Sequence, residues 1–296
     1  MRLALIGVGL IGGSAALAFR SAGAVSTVYG YDTDAAALRR ALDLGVLDRE
    51  ATSVADAVAE AELILLAVPV GAMGSVLAQV GAAAPAHAII TDVGSTKSSV
   101  IAAARAALGA TSSFSMRRFV PAHPIAGGEL PGVEHASATL FRGKRLITTP
   151  VDETHAQALA QVERVWQAAG AQVSRMQPDE HDRIFAAVSH LPHLLAFALV
   201  AQIASEADGA RKLGFAGAGF RDFTRIAASS PTMWRDISLA NRAALSDELA
   251  RHRALLDRLQ HAVDAGDAAE LDRVFTLASE ARRGARFGAS HSEQDE

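Results

Sequence analysis

A glycine-rich turn near the first residue constrains the fold of this chain more than any other feature. A short apolar run, Leu3 to Ile6, leads directly into Gly7-Val8-Gly9-Leu10-Ile11-Gly12, and the following residues suit a helix. The pattern predicts a strand, a tight turn and a helix start, which is the order that the phosphates of a dinucleotide require. The first glycine permits the turn, the second lets the backbone approach a pyrophosphate, and the third lets helix and strand pack closely. The alternative is a glycine-rich turn in another type of α/β protein, because the motif alone is not specific.

The end of the second predicted strand carries a carboxylate that favours the dinucleotide interpretation. Ser26 to Tyr31 predicts a strand, and Asp32 follows it about 20 residues after the third glycine of the turn. A carboxylate there can accept hydrogen bonds from the adenosine ribose hydroxyls and repels a 2′-phosphate, so we expect NAD rather than NADP. Asp32 could instead cap the helix that begins near Asp34.

Two later apolar runs extend the predicted sheet. Glu62 to Val68 is a continuous apolar run that ends at Pro69, as a buried parallel strand does. We expect Val68 and Pro69 to border the cofactor, because ligands lie beyond the carboxyl ends of such strands. Ala88 to Thr91 predicts the next strand, and a helix follows over residues 98–108. Alternating strands and helices predict an α/β fold with a Rossmann-type, doubly wound parallel sheet.

Two polar side chains follow the later strands of this sheet. Ser95 lies between the strand ending at Thr91 and the next helix, where a hydroxyl can either contact a nicotinamide or cap that helix. His123 comes just after an apolar stretch from Arg118 to Pro121, and we expect it on a rigid loop at the ligand edge. An imidazole has an unperturbed pKa near 6.5 and therefore suits general-base catalysis at neutral pH. A lone histidine in a loop is also often only structural.

The second half of the chain changes character after residue 176. Residues 144–149 and 172–176 predict two strands on either side of a helix over 153–169, and only helical patterns follow. We therefore predict a nucleotide-binding domain over 1–176, an all-helical domain over 177–288 and a flexible tail over 289–296. The helical stripes of the second domain need more burial than one small bundle offers, which favours a homodimer over a monomeric helical lid.

Composition excludes several classes of function. The chain has 296 residues, a formal net charge of −4 and no cysteine, so neither a basic surface for nucleic acid nor thiolate chemistry is expected. The longest apolar run, Leu194 to Ala201, is far short of a membrane span, and no signal peptide precedes the first strand. His190 and His193 are spaced as metal ligands on a helix could be, but no third ligand accompanies them, so we expect no metal. These features predict a cytoplasmic protein without membrane or nucleic-acid partners.

Six motifs in order over nearly the whole chain resemble the prephenate/arogenate dehydrogenase family. They are GVGLIGGS (7–14), AVPV (67–70), TDVGSTK (91–97), HPIAGGE (123–129), SHLPH (189–193) and GFRDFTRIAASSPTMWRDI (219–237). The resemblance implies an NAD-dependent oxidative decarboxylation of prephenate to 4-hydroxyphenylpyruvate, or of arogenate to tyrosine. It also implies a dimerisation role for the helical domain.

The resemblance assigns roles to particular side chains. It implies that His123 takes the proton of the ring hydroxyl and that Ser95 hydrogen-bonds the same hydroxyl beside the nicotinamide. Arg225 would bind a substrate carboxylate through its planar guanidinium, with His193 and Trp234 bordering the cleft. Glu129 and Gly128 lie in the HPIAG-x-E segment, where many family members carry threonine or arginine in place of Gly128. That departure leaves the choice between prephenate and arogenate open.

Two other functions are compatible with a dinucleotide turn. One is a two-domain dehydrogenase of the hydroxyacid or imine-reductase kind, and the other is an NAD-binding sensor without turnover. The first would leave the HPIAG and FRDFTRIA segments unexplained. The second would leave Ser95, His123 and Arg225 without a task.

Overall fold

The computed structural model describes residues 1–109, 116–128 and 130–285. The predicted site residue Glu129 and the predicted tail over 289–296 lie outside these residues. The chain packs as two compact units, one from Met1 to Asn241 and one from Arg242 onward. The predicted domain boundary at residue 176 lies one residue after the last strand ends and stays a prediction.

A six-stranded parallel sheet forms the centre of the first unit, with strand order β3-β2-β1-β4-β5-β6. Its strands are β1 (Arg2–Ile6), β2 (Thr27–Tyr31), β3 (Arg49–Glu50), β4 (Leu63–Leu66), β5 (Ile89–Asp92) and β6 (Phe119–Val120). The central strands are apolar at nearly every position because helices cover both faces of the sheet. The predicted doubly wound parallel sheet is therefore confirmed. β1 ends at the glycine turn, β2 ends just before Asp32, and β4 ends two residues before Val68.

A second sheet of three strands was not predicted from the sequence. It contains β7 (Ala122–Pro124), β8 (Arg145–Thr148) and β9 (Gln172–Arg175), with β7 antiparallel and β9 parallel to β8. The apolar stretch from Arg118 to Pro121 contains β6, and Pro121, which has no N–H for a ladder hydrogen bond, separates it from β7. His123 consequently lies within β7, paired with Ile147, and the prediction that it lies on a loop was wrong.

Helices connect and flank these strands. They are α1 (Leu10–Ser21), α2 (Ala35–Asp43), α3 (Val54–Val58), α4 (Met73–Ala83), α5 (Ser98–Leu108), α6 (Ala156–Ala168), α7 (Pro178–Phe185), α8 (Leu191–Ala204), α9 (Gly209–Gly214), α10 (Ala218–Thr224) and α11 (Pro231–Ala240). A π-helical segment, Ala186–His190, joins α7 to α8 just before Pro192. Because Pro192 cannot donate an N–H, the wider turn accommodates it within one continuous helix.

The continuous helix from Pro178 to Ala204 is long and apolar enough to cross a membrane, by length and composition alone. Within the 18 residues of its most apolar stretch, only 28% are buried in the protein. Core helices of soluble proteins pass the same test, and this helix carries polar groups of the candidate site at its start.

The second unit consists of α12 (Arg242–Ala265) and α13 (Ala268–Gly284) in the part of the chain that the structure describes. The sequence pattern predicts a single helix from about residue 239 to 265, but α11 ends at Ala240, with Asn241 as its C-cap, and α12 starts at Arg242. Asp267 begins α13 by accepting a hydrogen bond from the backbone N–H of Glu270.

Candidate active site

The glycine turn after β1 has the geometry that a close-approaching dinucleotide needs. Gly7 has φ +95°, and a Cβ there would lie 2.4 Å from the carbonyl oxygen of Ala67. A Cβ on Gly12 would lie 2.3 Å from the carbonyl oxygen of Gly7, so only glycine allows this packing. Gly9 faces open space and precedes α1 without a side-chain cap, which leaves the first N–H groups of α1, including those of Leu10 and Ile11, available to an anion.

Asp32 braces this turn from the end of β2. Its carboxylate accepts hydrogen bonds from the backbone N–H groups of Val8 at 2.7 Å and Asp34 at 3.0 Å. Asp34, and not Asp32, caps α2 by accepting from the N–H groups of Ala36 and Ala37. The alternative in which Asp32 serves only as that cap is therefore wrong, and its carboxylate keeps lone pairs that can accept ribose hydroxyls.

Basic groups near the turn are already paired. Arg39 contacts Glu50 at 3.4 Å, and Arg40 contacts Glu134 at 3.6 Å. Their charges are offset by carboxylates, which disfavours a 2′-phosphate at this position. Val68 and Pro69 follow β4, and the backbone nitrogen of Val68 lies 3.0 Å from where a Cβ on Gly7 would be. That both residues border the cofactor stays a prediction.

A cavity of about 330 Å³ lies beside the strand ends, and Ser95, His123 and Trp234 all line it. Phe185 and residues 124–127 contribute other parts of its wall. This volume is at the lower end of the range for small-ligand sites. Gly128 follows the lining segment and lies against the glycine turn, because a Cβ there would be 3.1 Å from Cδ2 of Leu10.

His123 is held by a row of polar groups behind the cavity. Its Nδ1 lies 2.9 Å from Nε2 of His181, and Nδ1 of His181 lies 2.8 Å from Oδ1 of Asp182. Burial lowers the pKa of His123 well below 6.5, and the nearby basic groups His181, Lys97 and His190 lower this pKa further. A neutral imidazole at the cavity wall can accept a proton.

Ser95 lies on the loop between β5 and α5, which a buried ion pair holds in place. Lys97 and Asp92 are fully buried and paired, and the Lys97 ammonium also donates to the carbonyl oxygen of Ala122. The Asp92 carboxylate in turn accepts from the N–H groups of Gly94 and Ala122. Burial lowers the pKa of Lys97, while the Asp92 charge opposes that shift. The pair therefore ties the Ser95 loop to the strand that carries His123.

The helix-cap alternative for Ser95 is also wrong. The residue before α5 is Lys97, whose side chain makes no cap hydrogen bond. The N–H groups of Lys97 and Ser98 instead donate to the carboxylate of Asp182 at 2.8 and 2.9 Å. The hydroxyl of Ser95 is thus not needed to start the helix and lines the cavity.

The other predicted substrate residues form a group next to this cavity. His193 stacks on Trp234 with ring centroids 3.5 Å apart, and its Nδ1 lies 2.9 Å from the carbonyl oxygen of Ser189. Burial lowers the pKa of His193, and the charge of nearby Arg225 lowers it further. Trp234 lines the cavity, whereas neither His193 nor Arg225 is among its lining residues within the described chain.

Other polar residues of these motifs serve the framework. Arg221 donates to the carbonyl oxygen of Ala216, and Arg235 pairs with Asp236. Burial lowers the pKa of His190 to about 4, while the negative charge of Asp182 opposes that shift. Asn241 donates to the carbonyl oxygen of Asp182 and lies 3.0 Å from Nδ1 of His190.

No group of three or more metal-ligating side chains occurs in residues 1–109, 116–128 and 130–285.

Sequence reasoning missed His181, Asp182 and Asn241. His181 and Asp182 lie in the first helical turns after Pro178, where acidic residues usually serve only the helix dipole. Asp182 contacts the start of α5 across 85 positions of sequence. The sequence offered one signal for them: His181 and Asp182 are adjacent polar residues at the start of a long apolar helix, where they are buried.

Comparison with known proteins places both halves of the chain in one family. The family description "Prephenate dehydrogenase, nucleotide-binding domain" matches residues 15–175, and "Prephenate dehydrogenase, dimerization domain" matches residues 177–277. The cyclohexadienyl dehydrogenase of Zymomonas mobilis is 37% identical over 95% of this chain and 94% of its own length. The prephenate dehydrogenase of Bacillus subtilis is 38% identical over 95% of this chain and 75% of its own length.

A solved structure gives the same result. Prephenate dehydrogenase from Aquifex aeolicus, in complex with hydroxyphenyl propionate and NAD+, superposes with a TM-score of 0.87 and 34% identity. The superposition covers 96% of this chain and 98% of that one. The chain therefore belongs to the prephenate dehydrogenase family.

Proposed function

We propose that this protein is an NAD-dependent prephenate dehydrogenase, which oxidatively decarboxylates prephenate to 4-hydroxyphenylpyruvate in tyrosine biosynthesis. The observation that carries this proposal is the cavity that Ser95, His123 and Trp234 line together. The similarity to prephenate dehydrogenases over nearly the whole chain supports the same reaction.

His123 is the general base of this proposal. Its ring is neutral at physiological pH, because burial lowers its pKa. The imidazole accepts the proton of the ring hydroxyl of the substrate while Ser95 hydrogen-bonds the same oxygen and holds it in place. When held at the glycine turn, NAD+ would supply the hydride acceptor for the ring carbon that carries this hydroxyl. The ring carboxylate would leave as CO2, its bonding electrons would make the ring aromatic, and the ring oxygen would regain a proton.

The residues of the glycine turn fit the coenzyme. Gly7 packs closely against the backbone of Ala67, and Gly12 packs closely against the backbone of Gly7. Gly9 leaves open space for a pyrophosphate. Asp32 would accept the ribose hydroxyls, while Val68 and Pro69 would border the coenzyme from the next strand. The paired states of Arg39 and Arg40 support NAD rather than NADP.

Binding of the substrate acid groups is assigned to the group beside Trp234. Prephenate carries two carboxylates, and Arg225 offers a planar guanidinium for one of them. The charge of Arg225 acts on His193, which stacks on Trp234 at the cavity wall. Gly128, which follows the cavity-lining residues 124–127, would border the substrate, and Glu129 stays a predicted substrate residue.

A second candidate activity is that of a cyclohexadienyl dehydrogenase, which accepts arogenate as well. The observation that favours it is the 37% identity to the cyclohexadienyl dehydrogenase of Zymomonas mobilis over 94% of that protein. Prephenate and arogenate differ only in a keto or amino group on the side chain. No turnover with either substrate would leave an NAD-binding sensor.

We also propose that the protein is a cytoplasmic homodimer that pairs through its C-terminal helices. The match to a dimerization domain over residues 177–277 supports pairing. Most residues of the apolar helix ending at Ala204 are only partly buried within one chain, and a second copy would cover them.

Turnover of both substrates with NAD+ and with NADP+ tests this function, with NADH absorbance as the readout. We expect reduction of NAD+ with prephenate, and near-loss of it in His123→Ala and Arg225→Ala. His155→Ala and Arg164→Ala are matched controls, because both side chains are exposed on or next to α6 and neither lines the cavity. Absence of turnover with prephenate, or an unaltered rate in His123→Ala, would contradict the proposal.

A further inference from the structure

Behind His123 lies a second histidine that the reaction as described does not use. His181 is fully buried, and it bridges His123 on one side and Asp182 on the other. Its ring packs against Phe185 with centroids 4.5 Å apart, and Phe185 also contacts His123 edge-on at 5.1 Å. The three rings hold one another in a fixed orientation at the cavity wall.

The hydrogen bonds of this row determine where each proton lies. The carboxylate of Asp182 can only accept, so Nδ1 of His181 must carry a proton and donate it to Oδ1 at 2.8 Å. Burial lowers the pKa of His181, which leaves its ring neutral and its Nε2 without a proton. That nitrogen can only accept, so Nδ1 of His123 must donate to it at 2.9 Å. In the neutral ring of His123 the remaining nitrogen, Nε2, then has no proton.

We propose that His181, oriented by Asp182, is a positioning residue that fixes the proton of His123 on Nδ1 and leaves Nε2 bare as the base. The inference deepens the proposed function, since it concerns the same general base. In the opposite tautomer, Nε2 of His123 would carry a proton and could not accept one from a hydroxyl. The row excludes that tautomer because His123 and His181 would then face each other with two acceptors.

His181 also acts after the proton has moved. When Nε2 of His123 takes the hydroxyl proton, the ring becomes an imidazolium whose Nδ1–H still donates to Nε2 of His181. The Asp182 carboxylate stabilises this positive charge through the intervening ring, and no proton needs to reach Asp182. The cost of charging a buried imidazole is thereby reduced at the moment of reaction.

The same carboxylate connects the base to the serine. Asp182 accepts from the N–H groups of Lys97 and Ser98, which lie two and three residues after Ser95 at the start of α5. One buried group therefore sets the orientation of His123 through His181 and the position of Ser95 through the start of α5. Lys97, Asp92 and His190 are the other titratable groups that face this row.

Two substitutions at His181 separate positioning from packing. His181→Phe keeps an aromatic ring against Phe185 but cannot accept a hydrogen bond, whereas His181→Gln offers an amide oxygen in a similar place. We expect His181→Phe to lower kcat about 100-fold, with KM and the Kd for NADH changed less than threefold, because general-base catalysis contributes about that much. His181→Gln should recover at least about tenfold of the loss.

Thr148→Val is the matched control for lost stability. Thr148 is buried in the second sheet and donates to Glu163, so its removal also deletes a buried hydrogen bond without touching the row. A kcat within about twofold of the parent is expected for this control. A His181→Phe variant that keeps its kcat, or a Gln variant no faster than the Phe variant at equal stability, would overturn the inference.

Nitrogen NMR of the histidine-labelled parent protein tests the tautomer without substrate. The expected spectrum has a protonated Nδ1 and a bare Nε2 on His123, assigned by comparison with His123→Ala, and the preference should be lost in His181→Phe. A protonated Nε2 in the parent would overturn the inference. Failure of the parent to turn over prephenate would instead contradict the proposed function, and the NMR result would still stand alone.

Discussion

At the scale of single residues, the protonation of His123 decides at which pH the site can work. Burial lowers the pKa of His123 well below 6.5, and the neighbouring His181, Lys97 and His190 lower it further. The base is therefore neutral, and active, at pH values where a free histidine is already largely charged. We expect the acid-side inflection of kcat/KM, measured from about pH 5 to 8, to lie below 6.5. An inflection at or above 6.5 would show that the buried environment does not act on this ring.

A second residue, Asp32, should decide which coenzyme is used. Asp32→Asn removes the charge that repels a 2′-phosphate and keeps an oxygen for the N–H of Val8. We expect the ratio of kcat/KM for NADP+ to that for NAD+ to rise about tenfold or more, since like charges in contact cost at least about 1.4 kcal/mol. Asp34→Asn is the matched control, because that side chain only caps α2. An unchanged ratio in Asp32→Asn would exclude its carboxylate from coenzyme selection.

At the scale of elements, the sequence predicts what is local and misses what is distant. The glycine turn, the strand before it and Asp32 follow from neighbouring residues, because their hydrophobic pattern and turn chemistry act over a few positions. The second sheet escaped prediction because the chain passes from one sheet to the other at Pro121, directly after the two-residue strand β6. The contact of Asp182 with the start of α5 spans 85 positions, and no local pattern reports such a pairing. The sequence thus predicts residues that line the cavity, but not His181 and Asp182, which orient them.

The glycine turn can be tested at this scale, because Gly12 allows close packing of α1 on β1, whereas Gly9 faces open space. Gly12→Ala would place a Cβ 2.3 Å from a backbone oxygen, so α1 must move away from β1. We expect a loss of about 1–3 kcal/mol in the free energy of unfolding, as overpacking usually costs. Gly9→Ala meets nothing within 4 Å and should change stability by less than about 0.5 kcal/mol while weakening NADH binding. Denaturant unfolding and NADH fluorescence titration measure both, and equal effects of the two variants on stability would contradict this division.

At the scale of the whole molecule, the exposed apolar side chains indicate an interface with a second copy of the chain. Leu256, Val263, Phe275 and Leu277 of the second unit are between 48% and 63% exposed. In the first unit, most residues of the apolar helix ending at Ala204 are only partly buried. Such apolar surface marks an interface in soluble proteins, and a symmetric dimer would bury it.

Sedimentation equilibrium should therefore give a mass of about 62 kDa, twice the 30.8 kDa of one chain. Placing a charge in the apolar surface, as in Phe275→Asp or Leu277→Asp, should shift the equilibrium toward the monomer, because a buried unpaired carboxylate costs several kcal/mol. Glu280→Gln on the same helix is the control and should leave the mass unchanged. The Tm of the parent should rise with protein concentration, since association stabilises the folded chain by mass action. A 30.8 kDa species at all concentrations, with a constant Tm, would exclude the dimer and leave the exposed side chains without a partner.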